Sequence, residues 1–349
     1  MTKPLQFALV GAGGIAQSYA AAFDDNPKAN LVAVADVRLE AAEAMAKKAG
    51  ARAFASTDEL LDAMTEIDAA IICTPPNSHE ELATAFARRG VHVLCEKPFA
   101  LTLESAQRMA RVSQSSGVLL TMGSKFRYVE DIAKAKEIID AGTLGEIILF
   151  ENAFTGRVDM SKRWNAVPAI SGGGVLIDNG THSVDIMRYF LGPLGEVHAV
   201  EGKRAQGLSV EDTVRVFVHS EAGVMGSVDL SWSINKELDW FVTIYGSQGT
   251  LQVGWKQSRY KTTGQDWVVF GNGYDKVRAF RNQVNNFVGA IRKEEPLRIT
   301  WKDAVASVEV IESAYRSMRA APWEGIVYPT DLALTPRPGV FLREIAGHV

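Results

Sequence analysis

Three polar residues at helical spacing are the part of this sequence best suited to chemistry. Asp178, His182 and Asp185 stand at positions i, i+4 and i+7, so a helix would present all three on one face. Histidine titrates near neutral pH and can therefore accept or return a proton during a reaction. Gly180 lies within the same turns, at a cost of about 1 kcal/mol relative to alanine, and indicates that another group approaches the backbone closely. The pattern favours a proton-transfer site, with a solvated polar face as the alternative.

The same three residues also resemble a set of metal ligands. The spacing Asp-x3-His-x2-Asp offers three donors, but the other histidines of the sequence form no second ligand motif. We therefore expect no catalytic metal. The role of Asp185 stays open between catalysis and structure.

Two further polar motifs each follow a short apolar run. Thr74-Pro75-Pro76-Asn77-Ser78-His79 comes after residues 69–73, and Glu96-Lys97-Pro98 comes after residues 91–95. If both runs are parallel strands, their carboxyl ends lie at the edge where an open sheet binds its ligand. The motifs are therefore candidate ligand contacts, although Lys97 alone is equally compatible with a solvated lysine before a turn proline.

A glycine-rich stretch near the start of the sequence is typical of dinucleotide binding. Gly11-Ala12-Gly13-Gly14-Ile15-Ala16 fits the pattern G-x-G-x-x-G/A between an apolar strand and a helix, where glycines let a pyrophosphate approach the helix N-terminus. Asp36 follows twenty residues after Ala16, at the end of the next apolar run, where a carboxylate can bind the adenosine ribose. We expect NAD as the cofactor. Arg38 leaves NADP open, because a guanidinium there can contact a phosphate.

The elements that must position these residues fall into two groups. Apolar runs alternate with helical patterns up to Gly123, which predicts a parallel sheet covered by helices on both faces. After that point the strands are longer and partly alternating, as at 146–154, 213–219 and 224–233, and two helices follow at 276–293 and 301–319. We predict an α/β chain with an N-terminal Rossmann domain, residues 1–123, and a C-terminal α+β domain, residues 124–349, with a mostly antiparallel, open-faced sheet.

Composition excludes several classes of protein. The 349 residues are 47% apolar with a net charge of −4, which favours an ordinary globular protein and gives no reason to expect a nucleic-acid partner. No apolar run approaches the roughly 18 residues of a membrane helix, and the N-terminus carries no secretory pattern. The two cysteines, Cys73 and Cys95, are too few for a disulfide framework and are expected to be buried thiols. These features favour a cytoplasmic protein without a membrane partner.

A third motif makes the combination more specific. The stretch from Gly172 to Asp185 reads G-G-G-V-L-I-D-N-G-T-H-S-V-D and opens a helix. Together with the glycine loop and the two strand-end motifs, it resembles the glucose–fructose oxidoreductase, inositol dehydrogenase and rhizopine-catabolism (Gfo/Idh/MocA) family. The resemblance extends over essentially the whole chain, because residues 141–146 and 246–251 also look like glycine-containing turn motifs of the family.

The resemblance implies an NAD(P)-dependent dehydrogenase that acts on CH–OH groups of sugars or polyols. It implies that Lys97, Asp178 and His182 are catalytic, and that the Lys97–Pro98 peptide is cis. Oxidation of an alcohol would then use His182 as the base and Lys97 to stabilise the developing alkoxide, with Asp178 positioning the substrate or the pair. The full set of expected cofactor contacts is Gly11, Gly13, Gly14, Ile15, Ala16, Asp36, Arg38, Thr74, Pro75, Asn77, His79, Glu96 and Lys97.

The substrate itself is less constrained. By resemblance, the segments that border the cleft supply the expected substrate contacts, which are Lys125, Arg127, Arg163, Trp164, Asp178 and His182. The cations among them can recognise a carboxylate or phosphate, or can be surface charges. Trp164 can stack on a sugar ring or fill a domain interface.

Two other functions remain open for a chain of this kind. One is redox-assisted cleavage of a glycoside with tightly held NAD, and the other is a cofactor-binding sensor without catalysis. The resemblance also implies that the open sheet packs against a second subunit, giving a homodimer or homotetramer.

Overall fold

The first half of the chain builds a six-stranded parallel sheet in the computed structural model, which describes residues 3–320. Its strands are β1 (Leu5–Val10), β2 (Ala29–Ala35), β3 (Arg52–Phe54), β4 (Ala69–Ile72), β5 (His92–Glu96) and β6 (Leu120–Gly123), arranged in the order β3-β2-β1-β4-β5-β6. The connecting helices are α1 (Gly14–Phe23), α2 (Leu39–Ala49), α3 (Thr57–Ala63), α4 (His79–Arg88) and α5 (Leu103–Ser115). The predicted Rossmann sheet is confirmed.

Apolar strands explain why this sheet is buried on both faces. Every residue of β4 is buried, and so are the last four of β1. Such strands need helices on both sides, since neither face can be left in water. Helix α1 buries Ala16, Tyr19, Ala22 and Phe23, whereas Ile15 and Ala20 are only partly buried.

The second half builds an eight-stranded sheet. Its strands are β7 (Ile147–Thr155), β8 (Leu194–Glu201), β9 (Thr213–Ser220), β10 (Met225–Ser231), β11 (Trp240–Gly246), β12 (Gly249–Gly254), β13 (Ser258–Thr262) and β14 (Val268–Gly271), in the order β14-β13-β12-β11-β7-β10-β9-β8. Strands β7 and β10 are parallel, and all other neighbours are antiparallel. The expected mostly antiparallel sheet is confirmed.

One face of this second sheet is covered and the other is open. The helices of this half are α6 (Glu130–Asp140), α7 (Pro168–Ser171) and α8 (Val175–Leu191). Helix α8 packs its apolar side chains, among them Leu176 and Met187, against β7, β9 and β10. The opposite face leaves Phe217, Met225 and Tyr245 exposed. We call this the outer face.

Two late helices return to the first sheet. Helix α9 (Lys276–Ile291) places Phe280 and Phe287 in the same apolar cluster as Phe7 and Tyr19, and helix α10 (Trp301–Ala320) contributes Ala304 and Val308 to a second cluster beside the parallel sheet. The boundary predicted at residues 123/124 therefore marks where the two sheets separate. Helix α9 packs on the first sheet, and α10 contacts both halves, since its Ile311 and Ala314 belong to the core beside the second sheet. The division into 1–123 and 124–349 stays a prediction, and residues 321–349 lie outside the described part.

Glycines and a side-chain cap shape several of the turns. Gly117 after α5 and Gly223 in the β9–β10 hairpin have φ of 69° and 81°, a region that glycine reaches without strain. At the start of α10, Asp303 accepts from Thr300 N (3.0 Å), and Asp303 N donates to the Thr300 hydroxyl (3.4 Å), which forms a capping box with Asp in place of the usual Glu or Gln. Cys73 and Cys95 are free and buried, as expected. Within residues 3–320, no helix is both long and apolar enough to cross a bilayer.

Candidate active site

The glycine loop between β1 and α1 is shaped by close backbone contacts. Gly11 has φ of +90°, and a Cβ atom there would lie 2.9 Å from the backbone carbon and oxygen of Cys73. A side chain is therefore excluded at this position. A Cβ at Gly13 or Gly14, in contrast, would meet no described atom within 4 Å. Because no side chain caps the start of α1, its first N–H groups remain available to an anion.

Asp36 is tied to this loop by two backbone hydrogen bonds. Ala12 N donates to Asp36 Oδ2 (2.7 Å), and Arg38 N donates to Asp36 Oδ1 (2.8 Å). The Arg38 guanidinium lies 3.5 Å from the same carboxylate but is mostly exposed. The carboxylate at the end of β2 is thus held in a fixed orientation beside the glycines.

A cleft of about 960 Å³ opens in front of the loop, and we call it the glycine cleft. It brings together most of the predicted cofactor contacts and four of the predicted substrate contacts. The predicted residues along it are Gly11, Gly13, Gly14, Ile15, Asp36, Arg38, Thr74, Pro75, Asn77, Glu96, Lys97, Lys125, Arg163, Trp164 and Asp178. Lys162 and Asn165 also line this cleft and were not anticipated.

Two predicted cofactor contacts do not reach the cleft. Ala16 and His79 are both 0% exposed, so neither side chain can touch a ligand there. His79 instead has Nε2 2.9 Å from Thr74 O and Nδ1 3.0 Å from Pro98 O. Its ring therefore ties the two strand-end motifs to each other. Burial lowers the pKa of His79.

Lys97 lies at the carboxyl end of β5 and is paired with α8. Its Nζ donates to Asp178 Oδ1 (2.5 Å) and to the Asp178 carbonyl (3.3 Å), and both side chains are less than one fifth exposed. The Lys97–Pro98 peptide is cis, as the resemblance implied. The carboxylate of Asp178 thus supplies the counter-ion that a half-buried ammonium needs.

Glu96 lies behind Lys97 in a buried hydrogen-bond network. The Tyr19 hydroxyl donates to Glu96 Oε1 (2.9 Å), and the Lys97 backbone N–H donates to Glu96 Oε2 (2.9 Å). Burial raises the pKa of Glu96. Although Glu96 reaches the edge of the cleft, its hydrogen bonds mainly fix the backbone that carries Lys97.

A second cavity of about 310 Å³ shares Lys97 and Lys125 with the glycine cleft, and we call it the aromatic pocket. His182 and Asn179 face it from α8. Its remaining walls come from the segment after β6, from β7 and the segment after it, from the end of β10, and from the residues that follow β10 and β12. These wall residues are Phe126, Phe154, Thr155, Gly156, Val158, Ser231, Trp232 and Trp255. Lys97 and His182, distant in sequence, thus line one cavity.

His182 is almost completely buried in this pocket. Its Nε2 lies 3.2 Å from Lys125 Nζ, while its Nδ1 has no hydrogen-bond partner within the described chain. The ring packs edge-on against Phe126, with 5.0 Å between centroids. Burial, followed by the charges of Lys125 and Lys97, lowers the pKa of His182 well below its usual value. The imidazole is therefore neutral at pH 7 and Nε2 can act as an acceptor.

Two predicted candidates belong to a buried ion network instead. Arg127 NH2 lies 2.7 Å from Asp185 and 3.3 Å from Asp303, and the side chains of Arg127 and Asp185 are 6% and 0% exposed. This network joins the segment after β6 to α8 and α10. Arg127 is thus not placed at either cavity, and Asp185 faces Arg127, whereas Asp178 faces Lys97.

The close approach expected at Gly180 is present and comes from apolar packing. A Cβ there would lie 3.1 Å from Leu230 and 3.4 Å from Ile311. The glycine therefore lets α8 lie close to β10 and α10. In residues 3–320, no group of three or more His, Cys, Asp or Glu side chains is arranged to hold a metal ion.

Comparison with protein-family models gives two matches along the chain. Residues 5–124 match the model described as an oxidoreductase family with an NAD-binding Rossmann fold, and residues 132–252 match the GFO/IDH/MocA C-terminal domain. The two matches together cover more than half of the chain.

Individual relatives are similar over most of their length or over about half of it. The chain is 27% identical to inositol 2-dehydrogenase of Rhizobium meliloti (strain 1021) across 334 residues, which is 90% of this chain and 97% of that protein. It is 31% identical to D-glucoside 3-dehydrogenase of Escherichia coli (strain K12) across 194 residues, 55% of each chain. Among solved structures, GenD2 from gentamicin A biosynthesis in complex with NAD aligns with a TM-score of 0.81 and 28% identity, covering 92% of this chain and 95% of that one.

Proposed function

The chain belongs to the Gfo/Idh/MocA family of NAD-binding oxidoreductases, and from that premise we propose that it interconverts a secondary hydroxyl and a ketone on a sugar or polyol, using Lys97, Asp178 and His182. The observation that carries the proposal is the position of Lys97. It lines both a cleft with the features of a dinucleotide site and a pocket with a buried neutral imidazole. Relatives named for inositol and glucoside oxidation support the substrate class.

NAD, when bound, supplies the nicotinamide carbon that accepts or returns hydride. The chain's own residues handle the oxygen and its proton. The Lys97 ammonium, held by Asp178, donates to the substrate oxygen and stabilises the negative charge that develops there. His182 Nε2, neutral because of its low pKa, accepts the hydroxyl proton as the C–H electron pair leaves and the carbonyl forms.

The cofactor we propose is NAD. The Asp36 carboxylate is fixed beside the glycines by Ala12 N and Arg38 N, so its charge stays where the adenosine ribose would bind. A carboxylate accepts hydrogen bonds from ribose hydroxyls and repels a 2′-phosphate. Because Arg38 is mostly exposed and lies beside the same carboxylate, its charge does not offset that repulsion.

The walls of the aromatic pocket suit a sugar ring. Phe154, Trp232 and Trp255 present flat apolar surfaces, while Lys97, Asn179 and His182 present polar groups at one side. A sugar has this same division, with C–H faces and hydroxyl edges, and aromatic rings pack on the C–H faces. Arg163 and Trp164 line the glycine cleft and are proposed as further substrate contacts from that side.

The test is a panel of inositols, aldoses, glycosides and uronic acids, each assayed with NAD and with NADP by absorbance of the reduced cofactor. Net reduced cofactor with at least one panel member is the expected result. Cleavage of a glycoside without net reduction would indicate redox-assisted hydrolysis instead. Binding of NAD with no turnover of any compound would favour a sensor.

His182 is tested by His182→Ala with His198→Ala as its matched control, because His198 is exposed on β8. We expect His182→Ala to lower kcat by about 10²-fold to 10⁴-fold with nearly unchanged affinity for NAD. His198→Ala should behave as the unsubstituted protein. Wild-type turnover by His182→Ala would remove the assignment.

We propose further that the protein works as a homodimer or homotetramer in the cytoplasm. The outer face supports this proposal, because Phe217, Met225 and Tyr245 are exposed together on one side of the second sheet. Sedimentation of the purified protein tests the assembly. Charged substitution of Phe217 should then shift the equilibrium towards the monomer.

A further inference from the structure

Lys125 is a half-buried lysine that no carboxylate contacts in the part of the chain that the structure describes. It follows β6 and lines both the glycine cleft and the aromatic pocket. Its Nζ has one hydrogen-bond partner among the described residues, His182 Nε2 at 3.2 Å. Phe126 and Phe280 lie on its other sides, with ring centroids 5.0 Å and 5.8 Å from Nζ. Lys97, in contrast, has the carboxylate of Asp178 at contact distance.

The surroundings of Lys125 make its ammonium less stable than that of a surface lysine. An ammonium that loses part of its water and gains no contacting counter-ion is disfavoured. The charged and titratable groups that face it are Glu96 and Lys97 from β5, Asp178 and His182 from α8, and Lys276 from α9. Burial is the main cause that lowers the pKa of Lys125 to about 8, and the charges of Lys97 and Lys276 act in the same direction, against Glu96 and Asp178.

We propose that Lys125 and His182 form one proton-accepting pair, in which the amine of Lys125 is the final holder of the proton taken from the substrate hydroxyl. The proposal rests on the proposed function and adds a second nitrogen base to it. Two nitrogens 3.2 Å apart can share a single proton, and such a pair titrates as a unit. When the pair holds that proton, the Lys125 ammonium donates to Nε2 of His182, and the imidazole carries its own hydrogen on Nδ1.

The bonds and charges balance with this assignment. During oxidation the O–H bond breaks and its proton passes to the Lys125–His182 pair, while the C–H electron pair leaves as hydride to the cofactor and the C=O bond forms. The pair must start without its extra proton, because a second one would place two cations side by side near the Lys97 ammonium. During reduction the same proton returns from the pair to the carbonyl oxygen.

The other role for a lysine at this position is a permanent cation that binds an anionic substrate group. Substitution of Lys125 by arginine distinguishes the two roles. Arginine stays protonated throughout the accessible pH range, so it can substitute for a fixed cation but not for a base. The matched variants are therefore Lys125→Arg and Lys125→Met, with Lys134→Met as the control, since Lys134 is exposed on α6.

The decisive measurement is kcat against pH in both directions, with saturating cofactor. For the unsubstituted protein we expect oxidation to rise and reduction to fall through an inflection near the Lys125 pKa of about 8. Lys125→Met and Lys125→Arg should both lose that inflection and about 10²-fold to 10⁴-fold of the oxidation rate. Lys134→Met should keep both the inflection and the oxidation rate of the unsubstituted protein. Oxidation by Lys125→Arg within about tenfold of the unsubstituted rate overturns the proposal.

A second measurement does not depend on turnover. Lysine labelled with ¹³C at Cε, followed by NMR across the same pH range in the full-length protein, should show one signal that titrates well below the others and is absent from Lys125→Met. Titration of Lys125 together with the surface lysines overturns the proposal. A protein that oxidises no sugar or polyol but still shows the low titration would contradict the proposed function and leave the pair intact.

Discussion

The glycine cleft takes its shape from backbone conformation, whereas the aromatic pocket takes its shape from side chains of distant strands. At Gly11 a single Cβ atom would collide with the chain at Cys73, so the cleft tolerates little change. In the pocket, Phe154 and Trp255 come from different parts of the second sheet and meet only at their rings, whose centroids are 6.1 Å apart. Substrate preference can therefore change by side-chain replacement while the cofactor cleft stays the same.

Lys97 belongs to both cavities, and its substitution should have the largest effect. Removing the ammonium in Lys97→Ala takes away the donor to the substrate oxygen and leaves Asp178 without its partner. We expect kcat to fall by about 10²-fold to 10⁴-fold with little change in NAD affinity. Steady-state rates and fluorescence titration of NAD measure the two quantities. Normal turnover by this variant would contradict the proposed role of Lys97 between the cofactor cleft and the substrate pocket.

Gly11→Ala tests whether backbone shape alone builds the glycine cleft. An alanine at this position would have to keep φ of +90°, and its Cβ would lie 2.9 Å from the backbone of Cys73. The matched control is Gly50→Ala, because Gly50 also has positive φ, +66°, but a Cβ there meets no described atom within 4 Å. Strain of this kind costs of order 1–3 kcal/mol.

The two alanine variants should therefore differ in the free energy of unfolding and in NAD affinity. Gly50→Ala should lower the free energy of unfolding modestly and leave NAD binding unchanged. Gly11→Ala should lower it further and weaken NAD binding by about tenfold or more, since about 1.4 kcal/mol is a factor of ten in affinity. Calorimetry of both variants with and without NAD measures the free energy of unfolding and the affinity for NAD. Equal NAD affinity in the two variants would contradict the steric explanation.

Asp36→Ala tests the side-chain contribution to the same cleft. Loss of the carboxylate frees Ala12 N and Arg38 N, which weakens the loop for either dinucleotide, but only NADP gains from the loss of repulsion. The informative quantity is therefore the ratio of the two dissociation constants. We expect it to shift towards NADP by about tenfold, as loss of a charge-assisted hydrogen bond of roughly 1.5–3 kcal/mol to ribose would give. An unchanged ratio would indicate that Asp36 only supports the loop.

The same contrast explains how much of the molecule could be predicted from its sequence. The glycine loop, Asp36 and the strand-end motifs could be located because each is local: the residues that act together are neighbours in sequence or end adjacent parallel strands. His79 was misplaced among the ligand contacts because its partners are the carbonyls of Thr74 and Pro98, and no pattern records carbonyl positions.

Contacts between residues far apart in sequence are the other reason why the predictions and the structure differ. Arg127 was expected at the substrate, but Asp185 and Asp303 neutralise it from two helices far along the chain. The pairing of Lys125 with His182 had no sequence signal for the same reason. The strands β13 and β14 are short and carry no clear alternation, so periodicity could not reveal them.

Trp255→Ala should have the smallest effect and tests the side-chain character of the aromatic pocket. Trp255 lines the pocket after β12, and its ring packs on Phe241 with 4.7 Å between centroids. The matched control is Trp267→Ala. Trp267 stacks instead on Arg259, whose guanidinium carbon lies 4.1 Å from the ring centroid, and it is not among the residues that line the aromatic pocket. A ring face packed on substrate contributes about 0.5–1.5 kcal/mol, or roughly 2-fold to 10-fold in KM.

If the pocket binds the substrate ring through such faces, Trp255→Ala should raise KM for the best compound of the panel by that factor. Its kcat and NAD affinity should stay close to those of Trp267→Ala, since Trp255 is not among the residues that line the glycine cleft. A fall in kcat with unchanged KM would instead mean that Trp255 positions the reacting groups, because loss of ground-state binding alone acts on KM. The pocket would then share with the glycine cleft a sensitivity to single changes, and substrate preference could not be altered by its walls independently of catalysis.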